Sequence, residues 1–100
     1  MVINICDHVG RCYSNEDGKV IQDILRHHLQ NNVVVTISFK NIDGVTSSFV
    51  NTAFIELLND FNFDDIKRLL RFVDSTKQIN DMIRNRFMFE VSRRKNLIPV

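Results

Sequence analysis

Apolar residues along this chain recur with two periods, about two and about 3.6, and the switches between them mark out the elements. "VINIC" (2–6) alternates Val2, Ile3 and Ile5 with Asn4, which predicts a short strand with a buried Cys6. "DHVGRCYSNEDG" (7–18) holds two glycines and several turn formers and reads as a loop, with Asp17 placed to cap the next helix. From Lys19 to Asn31 the positions Val20, Ile21, Ile24, Leu25 and Leu29 form one helical stripe, completed by His28, and "NN" at 31–32 stops the helix. "VVVTISF" (33–39) has no polar face, so it predicts a central strand covered on both sides.

"KNIDGV" turns the chain, and Ser47 and Ser48 open a second helix with Phe49, Val50, Ala53, Phe54, Leu57 and Leu58 on its stripe. That helix is expected to end near Asp60. "FNFDDIKRLLRFVD" (61–74) fits two readings: Ile66, Leu69, Leu70 and Val73 suit a helix, and "LLRFV" suits a strand. The last segment repeats Ile79, Met82, Ile83, Phe87 and Val91 at helical spacing. Ser75 or Thr76 can cap it, and Arg93, Arg94 and Lys95 lie where the helix dipole favours cations. Pro99 and the apolar "LIPV" lie beyond it.

Strands alternating with helices predict a small α/β domain, a mostly parallel sheet of three or four strands flanked by about three helices. In such sheets sites form where strands end and helices begin, and the 43–48 turn is such a place.

Composition narrows the function classes. The 100 residues suit a single domain with one core, and the formal net charge of +1 suggests neither a nucleic-acid binder nor an acidic-substrate enzyme. No apolar run approaches the roughly 20 residues needed to cross a bilayer. The first ten residues lack the features of a secretory signal, and two cysteines are few for a disulfide scaffold, so a cytoplasmic protein with reduced thiols is expected.

Several constellations weigh against chemistry. Cys6, His8 and Cys12, even with His27 and His28, do not follow zinc-ligand spacing. Cys12 with a histidine base lacks any catalytic signature, and His28 on an apolar stripe reads as a core histidine. Glu16 and Asp17 are adjacent loop acids, better suited to capping than to a hydrolase pair. There is no Gly-rich phosphate loop or nucleotide fingerprint, so no cofactor is expected. Arg84, Arg86, Arg93, Arg94 and Lys95, interleaved with Phe87, Met88 and Phe89, leave nucleic-acid binding as an alternative. A solvated helix face is the simpler reading. Met88 and Phe89 fall off the main stripe and are expected to be exposed, where they suit a partner interface.

"NVVVTISFKNIDGVTSSFVNTAFIELL" (32–58) resembles the core motif of the STAS-like domain family of unknown function, in which an apolar strand, a short turn and Ser-Ser-Phe lead into a helix. "GR" (10–11), "EDG" (16–18) and "LLRFVD" (69–74) have family-like positions, and the likeness favours the strand reading for 68–73. The family is distantly similar to STAS domains of anti-anti-sigma factors, which carry Asp-Ser-Ser-Gly at this turn and are phosphorylated on the first serine by a kinase-like partner. The resemblance therefore implies a non-enzymatic regulatory module with Ser47 as phospho-acceptor, Ser48 beside it, and a histidine-kinase-like ATPase as partner. It implies a contact surface of Asp43, Thr46, Ser47 and Phe49. Thr46 stands where the anti-anti-sigma motif has Asp, Phe49 where it has Gly, and Ser38 where the family's strand ends in Asp; Asp43 offers a carboxylate three residues before Thr46. A serine at this position also has a plain structural use, as a helix cap. The alternative function is a constitutive inhibitor or adaptor that binds through Met88, Phe89 and the apolar tail without phosphorylation.

Overall fold

The computed structural model describes residues 1–96, so Pro99 and the "LIPV" tail lie outside the described residues. In chain order the elements are β1 (Val2–Asn4), α1 (Asn15–Gln30), β2 (Val35–Ser38), α2 (Ser47–Ala53), α3 (Phe63–Leu69), β3 (Leu70–Val73) and α4 (Lys77–Asn96), with 3-10 turns at Ile5–Asp7 and Ile55–Asn59. The three strands are all parallel in the order β1-β2-β3, with Ile3 opposite Ile37 and Ile37 opposite Phe72. The small parallel α/β architecture and the central place of "VTIS" follow the sequence expectation.

The expectation that β2 is covered on both faces holds only in part: Ser38 is buried on the second face, but Thr36 there is only partly covered. Ile3, Val35, Ile37 and Leu70 are buried on one face, while Val2, Arg71 and Val73 on the other are exposed. The reason is topological. Both crossovers advance the sheet in the same direction, and right-handed crossovers then place α1, α2 and α3 on one side, where α4 packs against α2. Covering the second face requires a reversal of strand order. Thr36 suits the open face by strand propensity rather than by burial.

Local chemistry explains the element ends. α1 begins four residues earlier than the expected Lys19, because Ser14 and not Asp17 is the cap: Ser14 Oγ accepts the Asp17 N–H at 3.1 Å. Its C-terminus closes as a Schellman motif. Asn32 takes a left-handed φ of 58°, its N–H donates to the Leu29 carbonyl, and the Val33 N–H donates to the His28 carbonyl. On the helix itself Val20 is exposed and Gln22 is buried, an exchange that the apolar pattern misses.

Gln22 also accounts for the early end of α2, expected to run to Asp60. Its side-chain amide donates to the Thr52 carbonyl, the group that a continuous helix would offer to the Glu56 N–H. The chain kinks at Phe54 and continues as the 3-10 turn. The two readings of 61–74 divide between them. Residues 63–69 are helix, and strand begins at Leu70 rather than Arg68, with no intervening loop.

The core lies between the sheet and the helices. Phe39, Phe49 and Phe54 are fully buried at its centre, with Leu25, Ile37 and Leu57 among their buried neighbours in the same core. No helix among the described residues is long and apolar enough to cross a membrane.

Candidate functional site

Parallel strands place their C-terminal ends along one edge, and three helices start from that edge. Each start is capped by a hydroxyl: Ser14 for α1, Thr46 for α2 and Thr76 for α4, the last accepting the Ile79 N–H at 3.1 Å. Thr46 does more than cap. Its hydroxyl accepts the Phe49 N–H at 3.2 Å and donates to the Tyr13 carbonyl at 2.8 Å, while its N–H donates to the Cys12 carbonyl at 3.0 Å. One residue thus starts α2 and clamps it to the loop that follows β1. Thr46→Val is expected to lose the cap and half of the clamp, lowering stability by about 1–2 kcal/mol. Chemical denaturation checks this, with Ser48→Ala as a control expected to lie within about 0.5 kcal/mol of the native protein.

The capping role expected of Ser47 and Ser48 therefore belongs to Thr46. The two serines occupy the first and second positions of α2, both exposed, and neither hydroxyl makes a hydrogen bond among the described residues. Asp43 is exposed beside them in the chain and lines a cleft of about 130 Å³ with Gly10, Arg11, Tyr13, Asn41 and Gly44. Phe49, expected on the contact surface, is completely buried and packs edge-on against Phe54 at 6.1 Å. It anchors the turn from within. Tyr13, half exposed and joined to the turn through Thr46, has an outward-facing place that no sequence pattern marks.

Ser38 ends β2, and the structure brings a carboxylate to it from the neighbouring strand. Ser38, 3 % exposed, donates its hydroxyl to Asp74 Oδ2 at 2.7 Å and accepts the Lys40 N–H at 3.3 Å. Asp74 sits at the end of β3 with a left-handed φ of 54°, a conformation that aspartate tolerates better than most residues.

Cys6, expected buried in a strand, is not. It falls in the 3-10 turn and is exposed; Cys12 is buried. Burial, with a lesser contribution from the Asp17 charge, pushes the Cys12 thiol from 9.0 up to about 12. The raised value means that the folded state holds this proton more tightly than the unfolded chain. The associated stability is present below pH 9.0 and is lost as pH rises toward about 12. A neutral-pH thiol reagent is expected to label Cys6 alone in the native protein and both cysteines after denaturation, as counted by intact mass. His28, expected in the core, is only half-buried, its ring edge-on to His27 at 5.4 Å. No cluster of three or more His, Cys, Asp or Glu side chains positioned to hold a metal ion occurs among the described residues.

The C-terminal arginines are engaged within the protein. Arg84 pairs with Asp81 at 2.8 Å, and Arg86 donates to Asn51 Oδ1 at 3.0 Å. Arg93 and Arg94 both bond Glu90, and Arg94 also reaches Asn59 at 2.7 Å, tying α4 to the 3-10 turn. The Arg93 hydrogen bond, foremost, holds the Glu90 carboxyl below the usual carboxylate range. Arg84, Arg93 and Arg94 thus have carboxylate partners within α4, while Arg86 bonds a neutral amide.

A family model described as a STAS-like domain of unknown function (DUF4325) matches residues 17–80, from the first turn of α1 into α4, with the serine turn inside the match. No curated protein matches the chain, and no solved structure matches it.

Proposed function

The chain belongs to the family of STAS-like domains of unknown function, and on that premise we propose that it is a non-enzymatic regulatory module that binds a protein partner through the 43–48 turn and the start of α2. Ser47 is the switch residue in this reading, with Ser48 as its neighbour. One observation carries it: both hydroxyls are exposed and free of hydrogen bonds among the described residues, because Thr46 has taken over the cap.

The mechanism is partner switching. With Ser47 unmodified, the partner packs over the turn, touching Asp43, Ser47 and the outer edge of Thr46. A phosphate on Ser47 adds nearly two negative charges at the centre of that contact. The domain itself tolerates it, since the first turn of a helix favours an anion. The partner does not, because it would have to desolvate that charge. A histidine-kinase-like ATPase is the partner class that suits a seryl acceptor of this kind. Titration calorimetry against that ATPase is expected to show Ser47→Ala binding like the native protein and Ser47→Asp binding about tenfold or more weaker. Equal affinities for all three would argue against the switch.

A second reading, a constitutive adaptor, draws on Met88 and Phe89, which are 59 % and 58 % exposed on α4. Binding through them predicts affinity lost in Phe89→Ala and unchanged in Ser47→Asp.

A further inference from the structure

Among the described residues the outer edge of β3 is unpaired, and an apolar groove runs beside it. There β3 pairs with β2 alone. The Phe39 N–H donates to the Val73 carbonyl at 3.1 Å, which sets the phase of the strand. Arg71 and Val73 turn their peptide groups toward β2, and the alternation turns those of Leu70 and Phe72 outward. The Leu70 N–H is taken by the Ile66 carbonyl at the end of α3. The Leu70 carbonyl and both peptide groups of Phe72 meet no backbone partner among the described residues.

Alongside lies a groove of about 260 Å³ between α3 and α4, its apolar lining including Phe63, Ile66, Leu70, Phe72, Ile83 and Phe87. Phe63 and Phe87 stack at 5.4 Å to form one wall. The volume falls below the roughly 300–1,000 Å³ of small-molecule sites and suits a few side chains. The charged residues in its lining are Lys67 and Arg84, with no acid. Each has a carboxylate three residues earlier, Asp64 and Asp81, yet α4 as a whole carries six basic residues against two acidic ones.

We infer that this edge docks an extended segment of a partner protein by strand addition to β3, the segment being apolar at alternate positions and acidic at its flanks. Its backbone completes the Leu70 and Phe72 peptide groups. Side chains level with Leu70 and Phe72 enter the groove; those between them lie beside Arg71 and Val73 on the open face. The positive field of α4 selects acidic flanks. A second copy fits less well. Adding its β1, which offers no acid within Val2–Asn4, to β3 would propagate head to tail without closing, and pairing β3 with β3 would bring the Lys67 and Arg84 of one groove toward those of the other, with no acid in either lining. This surface is separate from the serine turn and does not rest on the reading above.

The test is a displayed library of random nonapeptides selected on the full chain, followed by amide NMR with the enriched peptide. The expected consensus alternates apolar positions and carries Asp or Glu at the ends. The peptide shifts and protects the Phe72 amide; alternate N-methylation of its backbone abolishes binding, and the exposed-site double variant Lys67→Glu/Arg84→Glu, whose spectrum reports its folding, weakens binding about tenfold. A consensus without alternation, N-methylated peptide that binds equally, or shifts confined to residues away from β3 would overturn the inference. So would a Phe72 amide already protected by self-association with rising protein concentration, or one exposed only after deletion of residues 97–100.

Discussion

Replacing Phe54 by alanine is expected to lower the unfolding free energy by about 3–5 kcal/mol. Phe54 is wholly buried where α2 kinks into the 3-10 turn, and its ring stands edge-on to three others: Phe72 at 5.3 Å, Phe49 at 6.1 Å and Phe39 at 6.3 Å. Those rings belong to β3, α2 and the end of β2, so one side chain joins three elements. Its removal loses the transfer energy of the ring, leaves a cavity that stiff aromatic neighbours cannot fill, and forfeits edge-to-face contacts. A domain of this size commonly has about 5–15 kcal/mol in all. The variant should therefore unfold at much lower denaturant with an unchanged slope. A loss under about 1 kcal/mol would mean that the ring does not occupy the core.

The second large effect is expected from Gly18→Ala, with Gly10→Ala as its control. A Cβ at Gly18 would lie 2.8 Å from Thr52 Cβ, 2.9 Å from the Phe49 carbonyl oxygen and 3.2 Å from the Ala53 nitrogen. Two of these are backbone atoms of α2, so no rotamer change relieves them; α1 and α2 must move apart. Overpacking of this kind costs about 1–3 kcal/mol, and here it outweighs the gain of up to about 1 kcal/mol that alanine brings to a helix. A Cβ at Gly10 would meet nothing within 4 Å, and φ there is not positive. Gly10→Ala should accordingly be neutral or stabilising by up to about 1 kcal/mol. Thermal melts of the pair compare the same chemical change in two environments. Equal melting temperatures would contradict the close α1–α2 approach. Because α2 carries the serines at its start, the Gly18 variant should also disturb the amide signals of Ser47 and Ser48.

Some of this was legible in the residues and some was not. The β-branched run at 33–39 located the central strand, since branched side chains pack well on a pleated surface and crowd the turns of a helix. It overstated burial, because which face is covered depends on the direction of two crossovers that no local pattern encodes. The apolar stripe of α1 missed Gln22, whose amide is buried only because a carbonyl thirty residues on needs it. That same bond ends α2 early, so one non-local contact explains both misses. At the turn, the serine pair stood out and Thr46 did not. The cap falls to whichever hydroxyl lies one residue outside the helix, and sequence-based boundaries are uncertain by more than one residue. Asp74 was invisible as a partner of Ser38, because register between β2 and β3 brings them together and neither residue advertises it.

The regulatory reading turns on one side chain. The direct measurement is incubation of the chain with a histidine-kinase-like ATPase, the proposed partner class, and ATP, followed by intact-mass and fragment-ion mass spectrometry. The expected result is a single phosphate on Ser47, absent from the Ser47→Ala variant, with release of the ATPase from the phosphorylated form. A chain that stays unphosphorylated at both Ser47 and Ser48 while bound to an active ATPase would contradict it.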